Sequence, residues 1–372
     1  MKFLHTADWH IGKKLHGFDL MEEQADAYQQ ILTIAKDQAV DAIVIAGDLY
    51  DRALPSEANV AELNRMLVDL NLHHQLPLLA ISGNHDSATR LHVGSEWYAN
   101  TQYYLNTELA GAFTPVELED TQFFLLPYFE PWQARNYFGD DQIRTVEQAM
   151  RLIVKKQVAA FDTSKKHVLV AHFFAAGSSQ TDSETRVIVG GLNAVPLDIL
   201  APFDYVALGH LHNHHALNQP KIRYSGSPVK FSLSEAGEQK GVWLVDTDKS
   251  EPIYIPIKPF REVVTLTDSF AHLTDDTYYN TLDRDAYYGI TLTDRAIIPD
   301  VMNQLRAVYP HIVSLERLNG HEDLPTVVTI DPELDPLTLF EHFFEQVNDT
   351  KLNEQQLTWA KASLSAAQDG EE

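Results

Sequence analysis

Five short polar motifs occur in order along the first 212 residues, and most of them follow an apolar run. The motifs are Asp8-Trp9-His10, Gly47-Asp48-Leu49-Tyr50-Asp51, Gly83-Asn84-His85-Asp86, Ala171-His172-Phe173 and Gly209-His210-Leu211-His212. The apolar runs are residues 3–4, 43–45, 78–81, 168–171 and 205–208. Runs of this kind predict strands that are buried on both faces. If these strands lie in packed sheets, the polar side chains just beyond them gather along one edge, where α/β folds bind ligands.

The first 260 residues alternate between predicted strands and helices, which predicts an α/β domain. Helical patterns cover residues 20–38, 56–70 and 145–160, and residues 112–128 have the pattern of two strands. Residues 222–257 are rich in predicted strands. A boundary near residue 260 is predicted by three prolines, Pro252, Pro256 and Pro259.

A smaller unit is predicted beyond that boundary, over residues 261–334. It contains a strand over 288–293, a helix over 299–308 with Pro299 in its first turn, and a strand over 312–315. Residues 335–372 are predicted to form two helices and a short acidic tail that is disordered. The first of these helices places five apolar side chains on one face: Leu337, Phe340, Phe343, Phe344 and Val347. That face indicates either docking on the small domain or binding of a partner.

Composition excludes several classes of protein. None of the 372 residues is cysteine, which excludes a disulfide scaffold and zinc–thiolate sites. No run of about eighteen apolar residues exists, so no membrane partner is expected. The first predicted strand begins too early to leave room for a secretory signal. We therefore expect a cytoplasmic protein.

The charge balance is strongly acidic, with 53 acidic against 28 basic residues and a formal net charge of −25. Proteins that bind nucleic acid unaided usually present a basic surface. Two divalent cations would offset only about four of these charges, and only locally. If the chain cuts DNA, another protein is therefore expected to hold the duplex.

The residue types in the motifs suit a dimetal site that acts on phosphate esters. Two metal ions about 3.5–4 Å apart can polarise a phosphoryl group, lower the pKa of a bridging water and brace both oxygens of an in-line displacement. Such a pair needs a bridging carboxylate, for which Asp48 is the candidate. One metal would be completed by Asp8, His10 and His212, and the other by Asn84, His172 and His210. This mixed ligand set suits Mn, Fe, Co or Zn better than Mg or Ca.

His85 stands beside Asn84 and has no metal in this assignment. Histidine as a residue type titrates near neutral pH, which suits a group that stabilises or protonates the leaving oxygen. Asp51 is predicted to hold the other ring nitrogen and so to orient the imidazole. Arg90 is a candidate contact for a DNA phosphate, with an ordinary exposed arginine as the alternative.

The motif set resembles the calcineurin-like metallophosphoesterases. The longer segments at residues 5–12, 47–56 and 83–87 resemble the SbcD-type nuclease subunits of that superfamily. The resemblance covers about residues 1–350, and the metal ligands and the His85–Asp51 pair match its pattern residue by residue. The extra histidines His214 and His215 and the modest length after residue 335 depart from it.

The resemblance carries several further expectations. It implies a two-sheet α/β sandwich over residues 1–260, a small α/β capping domain over 261–334, and partner-binding C-terminal helices over 335–372. The implied activity is Mn²⁺-dependent exonuclease and endonuclease cleavage of DNA ends and hairpins, in DNA repair, recombination and replication. The implied assembly is a homodimer within a heterotetramer that contains an SbcC-type ATPase and associates with the nucleoid.

Three functions from different classes remain open on the sequence. The leading one is a DNA phosphodiesterase within an ATPase complex. The second is a stand-alone phosphatase or cyclic-nucleotide phosphodiesterase, which fits the acidic composition better. The third is a mainly structural subunit that no longer cuts. The complete ligand set argues against the third, and the small unit with its terminal helices favours the first.

Overall fold

The computed structural model of the chain describes residues 1–179, 194–249, 251–318, 335–348 and 350–368. In the last two helices the side chains of residues 346–348 and 365–368 are not described. The place of the Val347 side chain on the apolar helix face lies outside the described residues. Of the predicted disordered tail, residues 368–372, only Gln368 is described, and it ends a helix. Across the part of the chain that is described, no helix is both long and apolar enough to cross a membrane.

Strands form at all five predicted apolar runs, and also at residues 14–15, 18–19, 103–106 and 263–268, where the sequence predicted none. They are β1 (Lys2–Thr6), β2 (Lys14–Leu15), β3 (Phe18–Asp19), β4 (Ala42–Ile45), β5 (Leu78–Ile81), β6 (Tyr103–Asn106), β7 (Val116–Leu118), β8 (Thr121–Leu126), β9 (Lys166–His172), β10 (Tyr205–Gly209), β11 (Ile222–Tyr224), β12 (Lys240–Asp246), β13 (Ile253–Ile257), β14 (Val263–Asp268), β15 (Tyr287–Leu292) and β16 (Ile312–Arg317). The predicted pair of strands over 112–128 is confirmed as the antiparallel pair β7 and β8.

Two of the sheets stack against each other and form the core of the fold. The first has the order β13-β12-β1-β4-β5-β6, and its four strands β1, β4, β5 and β6 are parallel. The second has the order β11-β10-β9-β8-β7, and its first four strands are parallel. Their inner faces meet through buried apolar side chains that include Phe3, Val44, Phe123 and Val170. The predicted α/β two-sheet sandwich is confirmed.

The helices of the described residues are α1 (Met21–Asp37), α2 (Glu57–Val68), α3 (Ala88–His92), α4 (Ser95–Tyr98), α5 (Pro131–Phe138), α6 (Val146–Val158), α7 (Phe270–Leu273), α8 (Asp276–Tyr279), α9 (Val301–Arg306), α10 (Pro336–Asn348) and α11 (Glu354–Gln368). Three of them, α1, α2 and α6, pack on the outer faces of the two sheets. Ile31 of α1 and Leu63 of α2 pack in one cluster with Ile43 of the first sheet. Ile153 of α6 packs with Leu169 of the second sheet. Burial on both faces explains why these strands are apolar throughout.

The helix starts agree with their sequence signals except in one case. The Ser56 hydroxyl accepts a hydrogen bond from the Asn59 amide at the start of α2, and Thr145 begins α6 with a capping box. The prediction that Pro299 lies in the first turn of a helix is wrong. Asp300 has a φ of 52°, a left-handed conformation that cannot continue a right-handed helix, so α9 begins at Val301.

The chain divides into two compact units. The first contains residues 1–266, 274–290 and 300–315, and the second contains residues 267–273, 291–299 and the described residues from 316 onward. Tyr287 and Val313 belong to the first unit and pack in the same cluster as Leu4. The sheet of order β14-β15-β16 therefore contributes part of its length to the large core. The predicted boundaries at residues 260 and 334 stay predictions.

Candidate dimetal site

The five motifs lie at the carboxyl ends of five parallel strands. Three of these strands, β1, β4 and β5, belong to the first sheet, and two, β9 and β10, belong to the second. The two sheets meet at this edge, where the His210 amide donates to the Asp8 carboxylate at 2.9 Å. Motifs that are up to about two hundred residues apart therefore converge because of the sheet topology.

The main chain turns sharply immediately after the strands. Asp8, His10, Asp48 and His210 have positive φ angles of 54°, 44°, 51° and 95°, which are uncommon for residues other than glycine. Hydrogen bonds between neighbouring loops hold the first turn, since the amides of Asp8 and His10 donate to the carbonyls of Gly47 and Asp48, each at 3.0 Å. Four of the ten non-glycine residues with positive φ among the described residues are therefore predicted metal ligands.

Two glycines allow the loops to approach each other. A Cβ atom at Gly83 would lie 2.2 Å from Asp48 Oδ1, and one at Gly209 would lie 2.0 Å from the Ala46 carbonyl oxygen. Both distances are far shorter than van der Waals contact, so any larger residue would push the loops apart. The glycines in these two motifs are therefore required by the close packing of the loops around Asp48.

The first group of predicted ligands is Asp8, His10 and His212. One ligand atom from each lies within 4.8 Å of the others, and all three residues are buried. The Nε2 atoms of His10 and His212 are 3.1 Å apart. Burial lowers the pKa of both imidazoles, so the neutral, metal-binding form is favoured.

The second group brings together Asn84, His172 and His210, with Asp48 beside them. Asn84 Oδ1 lies 2.9 Å from His172 Nε2 and 2.9 Å from His210 Nδ1. His172 Nε2 is also 3.3 Å from Asp48 Oδ2. Asp48 Oδ2 lies 3.6 Å from His10 Nε2 in the first group, which is the position that a bridging carboxylate needs.

The chemistry of these atoms fits a bound cation. His172 Nδ1 donates to the Ala46 carbonyl at 2.8 Å, so its Nε2 presents a lone pair to the oxygens of Asn84 and Asp48. Lone pairs that face one another at this distance repel unless a cation lies among them. Burial by itself lowers the pKa of His172, but the Asp48 carboxylate, the Asp8 carboxylate and the Ala46 carbonyl together raise it to about 9. The surroundings of His172 therefore favour positive charge at this place.

The structure changes the predicted contact between His85 and Asp51. His85 Nδ1 donates to the main-chain carbonyl oxygen of Asp51 at 2.9 Å, so the main chain orients the ring. The Asp51 carboxylate instead pairs with Lys13 at 3.1 Å. The His85 amide donates to Asp48 Oδ1 at 2.9 Å, and its ring lies edge-on to the His10 ring with centroids 4.7 Å apart. The catalytic roles of His85 and Asp51 stay predictions.

Other predicted residues lie outside the ligand groups. The Arg90 guanidinium donates to the Ala53 carbonyl at 3.1 Å, and its contact with a DNA phosphate stays a prediction. His214 is buried and stacks on Tyr254 with ring centroids 3.8 Å apart, and His215 is exposed beside it. The stacked contact with Tyr254 gives His214 a packing role.

Sequence reasoning missed several residues that support the site. The Asp86 carboxylate accepts hydrogen bonds from the amides of Leu49, Tyr50 and Gly83 and so joins two ligand loops. The sequence clue to Asp86 was its position at the end of the motif Gly83-Asn84-His85-Asp86. The Gln24 side chain on α1 donates to the His10 carbonyl at 2.6 Å, and nothing in its local sequence distinguishes it from an ordinary helix residue.

Glu235 and Lys240 were also missed. Both are buried, with Lys240 Nζ 2.5 Å from Glu235 Oε2. Burial by itself raises the pKa of Glu235, but the Lys240 ammonium and His212 together lower it by more, so the pKa lies below its ordinary value.

Comparisons with known proteins agree with this geometry. The calcineurin-like phosphoesterase family model matches residues 1–214, which is more than half of the chain. A second family model, described as the type 5 capsule protein repressor C-terminal domain, matches residues 259–348. A curated relative, the SbcD subunit of the nuclease SbcCD from Staphylococcus epidermidis, is 34% identical over 375 residues, and the alignment covers 100% of both chains.

Solved structures also resemble the chain at lower similarity. A dimetal phosphatase from Danio rerio is 12% identical, with a TM-score of 0.40 over 66% of this chain and 91% of that chain. The phosphoesterase Yfce from E. coli is 14% identical, with a TM-score of 0.28 over 69% of this chain and 100% of that chain.

The sandwich, the ligand groups at its edge and the match over residues 1–214 define a calcineurin-like phosphoesterase. Within that class, the full-length identity of 34% shows that the chain belongs to the SbcD family of nuclease subunits. The chain is therefore a hydrolase that acts on phosphodiester bonds. The predicted family, fold class and enzyme class are confirmed.

Proposed function

We propose that the chain is the metal-dependent nuclease subunit of a DNA end-processing complex, working with an SbcC-type ATPase in repair, recombination and replication. It would cut duplex DNA from the end and would open hairpins and single strands internally. The observation that carries the proposal is the convergence of two buried ligand groups on Asp48 in a chain of the SbcD family. The proposed location is the cytoplasm, in association with the nucleoid.

The proposed cofactor is a pair of Mn²⁺ ions. Asp8, His10 and His212 would hold one and Asn84, His172 and His210 the other, with Asp48 between them. When bound, the two ions supply an activated water and electrostatic stabilisation of the phosphoryl group. Mixed imidazole, carboxylate and amide oxygens support a first-row transition metal over Mg²⁺ or Ca²⁺.

His85 is proposed to act on the leaving oxygen. The Asp51 carbonyl accepts the proton of Nδ1, and Nε2 is the nitrogen proposed to exchange a proton with the substrate. Lys13 neutralises the Asp51 carboxylate at 3.1 Å and keeps that charge from opposing a phosphate. The role of Asp51 is then to orient His85 through its main chain.

The proposed ATPase attachment surface is the apolar face of the C-terminal helices. Phe340 and Phe344 of α10 and Trp359 and Leu364 of α11 line a cavity of about 370 Å³. Phe340, Phe343 and Trp359 are 42%, 49% and 61% exposed. An apolar surface of this kind with helical spacing suits docking against a partner helix.

A homodimer is proposed from a second apolar surface, on the first unit. Val60, Leu72, Val93 and Trp97 are between 45% and 76% exposed, and all four line one open groove beside α2 and α4. A second copy of the chain would bury this groove, because isologous contacts between apolar patches are the commonest way to form a dimer. Sedimentation of the complex with the ATPase tests the proposal, because a mass with one copy of this chain per complex would exclude the homodimer.

The proposed function is tested by turnover of linear duplex DNA against a small aryl phosphomonoester, with and without Mn²⁺, in the chain and in its complex with the ATPase. We expect Mn²⁺-dependent cutting of DNA and little hydrolysis of the monoester. The acidic composition favours a stand-alone phosphatase as second candidate. Fast monoester hydrolysis without DNA cutting would establish that alternative in place of the nuclease.

A further inference from the structure

A buried ion pair lies behind His212, on the side away from His10. Glu235 ends a short 3₁₀ turn and Lys240 begins β12. Their side chains are 0% and 2% exposed, with Lys240 Nζ 2.5 Å from Glu235 Oε2. Lys240 also lies 3.1 Å from the carboxylate of Glu238, whose side chain is 15% exposed.

Both members of the pair reach His212. Glu235 Oε1 lies 4.0 Å from His212 Nδ1, and the Phe231 amide donates to the same oxygen at 3.2 Å. Lys240 Nζ donates to the main-chain carbonyl of His212 at 2.9 Å. The opposite ring nitrogen, Nε2, faces His10 at 3.1 Å. The Glu235 carboxylate therefore lies near the ring nitrogen of His212 that faces away from His10, and the Lys240 ammonium holds the main chain of His212.

Stability alone does not account for two buried charges at this place. Removing a carboxylate and an ammonium from water costs several kcal/mol per ion, and well-packed apolar residues of similar volume usually serve the fold equally well or better. A carboxylate behind a histidine ligand has a separate effect, because it orients the ring and makes the metal-facing nitrogen more basic.

We propose that Glu235 and Lys240 are positioning residues that hold His212 with Nε2 toward the first metal. Glu235 acts on the imidazole ring, and Lys240 acts on the main chain of His212 and pairs with Glu235. This inference rests on the proposed dimetal function and extends it to two residues that touch neither metal nor substrate.

The test is a titration of the full chain with Mn²⁺, in which electron paramagnetic resonance measures the free Mn²⁺. Thermal unfolding is measured in parallel. In Glu235→Gln we expect one of the two Mn²⁺ ions to bind about 10-fold or more weakly, the usual scale for losing the partner of a histidine ligand. The matched control is Glu238→Gln, which also removes a carboxylate beside Lys240 but lies farther out. It should bind both ions as the wild type does.

A second variant separates positioning from stability. The double change Glu235→Gln with Lys240→Met removes both charges, so no unpaired ion stays buried and the Tm should recover toward the wild-type value. We expect the weak Mn²⁺ site to persist in this variant. Wild-type affinity for both ions in Glu235→Gln, or in the double variant once its Tm has recovered, would overturn the inference. If the wild-type chain itself bound no Mn²⁺, the proposed dimetal function would fail instead.

Discussion

Four predicted ligands, Asp8, His10, Asp48 and His210, adopt left-handed conformations that cost free energy. These turns let each side chain point across the sheet edge instead of continuing along its strand. The hydrogen bonds between loops hold the chain in place before any metal binds. At the scale of single residues, the main chain therefore positions the site. Its side chains divide into candidate metal ligands and residues that support them.

The first prediction concerns this division of labour. His85→Ala is expected to bind two metal ions per chain and to lose about 10²-fold or more in rate, the scale of a lost proton transfer. His172→Ala, the matched ligand variant, should instead lose bound metal. Metal content after gel filtration and turnover of DNA measure the two effects. Loss of metal in His85→Ala would show that His85 is a ligand.

The second prediction concerns His5, which joins the two sheets. Its Nδ1 and Nε2 lie 3.0 Å from the Tyr205 hydroxyl and 3.1 Å from the Leu208 carbonyl. Burial lowers the pKa of His5 from 6.5 to about 3. Between these values the unfolded state binds more protons than the folded state, so the stability that neutral His5 contributes is lost as the pH falls below 6.5.

We therefore expect His5→Gln to lose less stability than the wild type between pH 7 and pH 5, by up to about 2 kcal/mol. Urea unfolding of the metal-free chain at both pH values measures the difference. Tyr205→Phe is the control, since it removes one hydrogen bond but leaves His5 buried and neutral. It should lower stability at both pH values and keep the wild-type pH dependence. An equal pH dependence in His5→Gln would contradict the assignment.

At the scale of elements, strands of the first unit position the site, and the last two helices belong to the second unit. The ligand loops are joined to one another by Asp86, which accepts from both the loop after β4 and the loop after β5. The helices α10 and α11 belong to the second unit and pack on each other around Phe344 and Trp359. Removing these helices should therefore abolish attachment to the ATPase and leave hydrolysis intact.

The third prediction is that truncation after Asp335 leaves a folded, metal-loaded chain that still hydrolyses a small phosphodiester or single-stranded DNA. It should fail to co-purify with the ATPase and should lose ATP-stimulated cutting of duplex DNA. Unchanged affinity for the ATPase would show that the attachment surface lies elsewhere. Aggregation, or a Tm lower by several degrees, would show that α10 belongs to the core of the small domain.

A point variant tests the same surface without shortening the chain. Phe340→Ser with Phe343→Ser removes two exposed aromatic side chains from α10. His342→Ala, also exposed on this helix, is the control. We expect only the double variant to lose the ATPase in co-purification, while both keep the wild-type metal content.

At the scale of the whole molecule, the net charge of −25 governs how the chain meets DNA. Binding of duplex DNA depends largely on neutralising phosphates with lysine and arginine. Such an acidic chain has few cations to offer, and long-range repulsion slows its encounter with a polyanion. We therefore expect the ATPase partner to supply most of the contacts that hold the duplex.

The fourth prediction follows from that charge. The isolated chain is expected to bind duplex DNA weakly at physiological salt and to bind much more tightly in complex with the ATPase. Fluorescence anisotropy of a labelled duplex over a range of salt concentrations measures both affinity and salt dependence. Nanomolar binding by the chain alone, with a steep salt dependence, would contradict the prediction.

The sequence by itself determined the strands, the α/β class and the identities of the candidate ligands. Apolar runs such as 43–45 and 78–81 form strands because burial on both faces requires them to be apolar throughout. The ligand motifs are readable because each occupies a few consecutive residues beyond such a run. The family followed from those motifs, and the full-length relative confirmed it.

Only the tertiary structure decided which groups support those ligands. It showed that the Asp51 carbonyl orients the His85 ring and that the Gln24 side chain donates to the His10 carbonyl. It also showed that Glu235 and Lys240 form a buried ion pair next to His212. The physical reason is that such contacts depend on how separate loops and helices pack. A hydrogen bond from a distant element leaves no period or motif in the local sequence, whereas burial of a strand does.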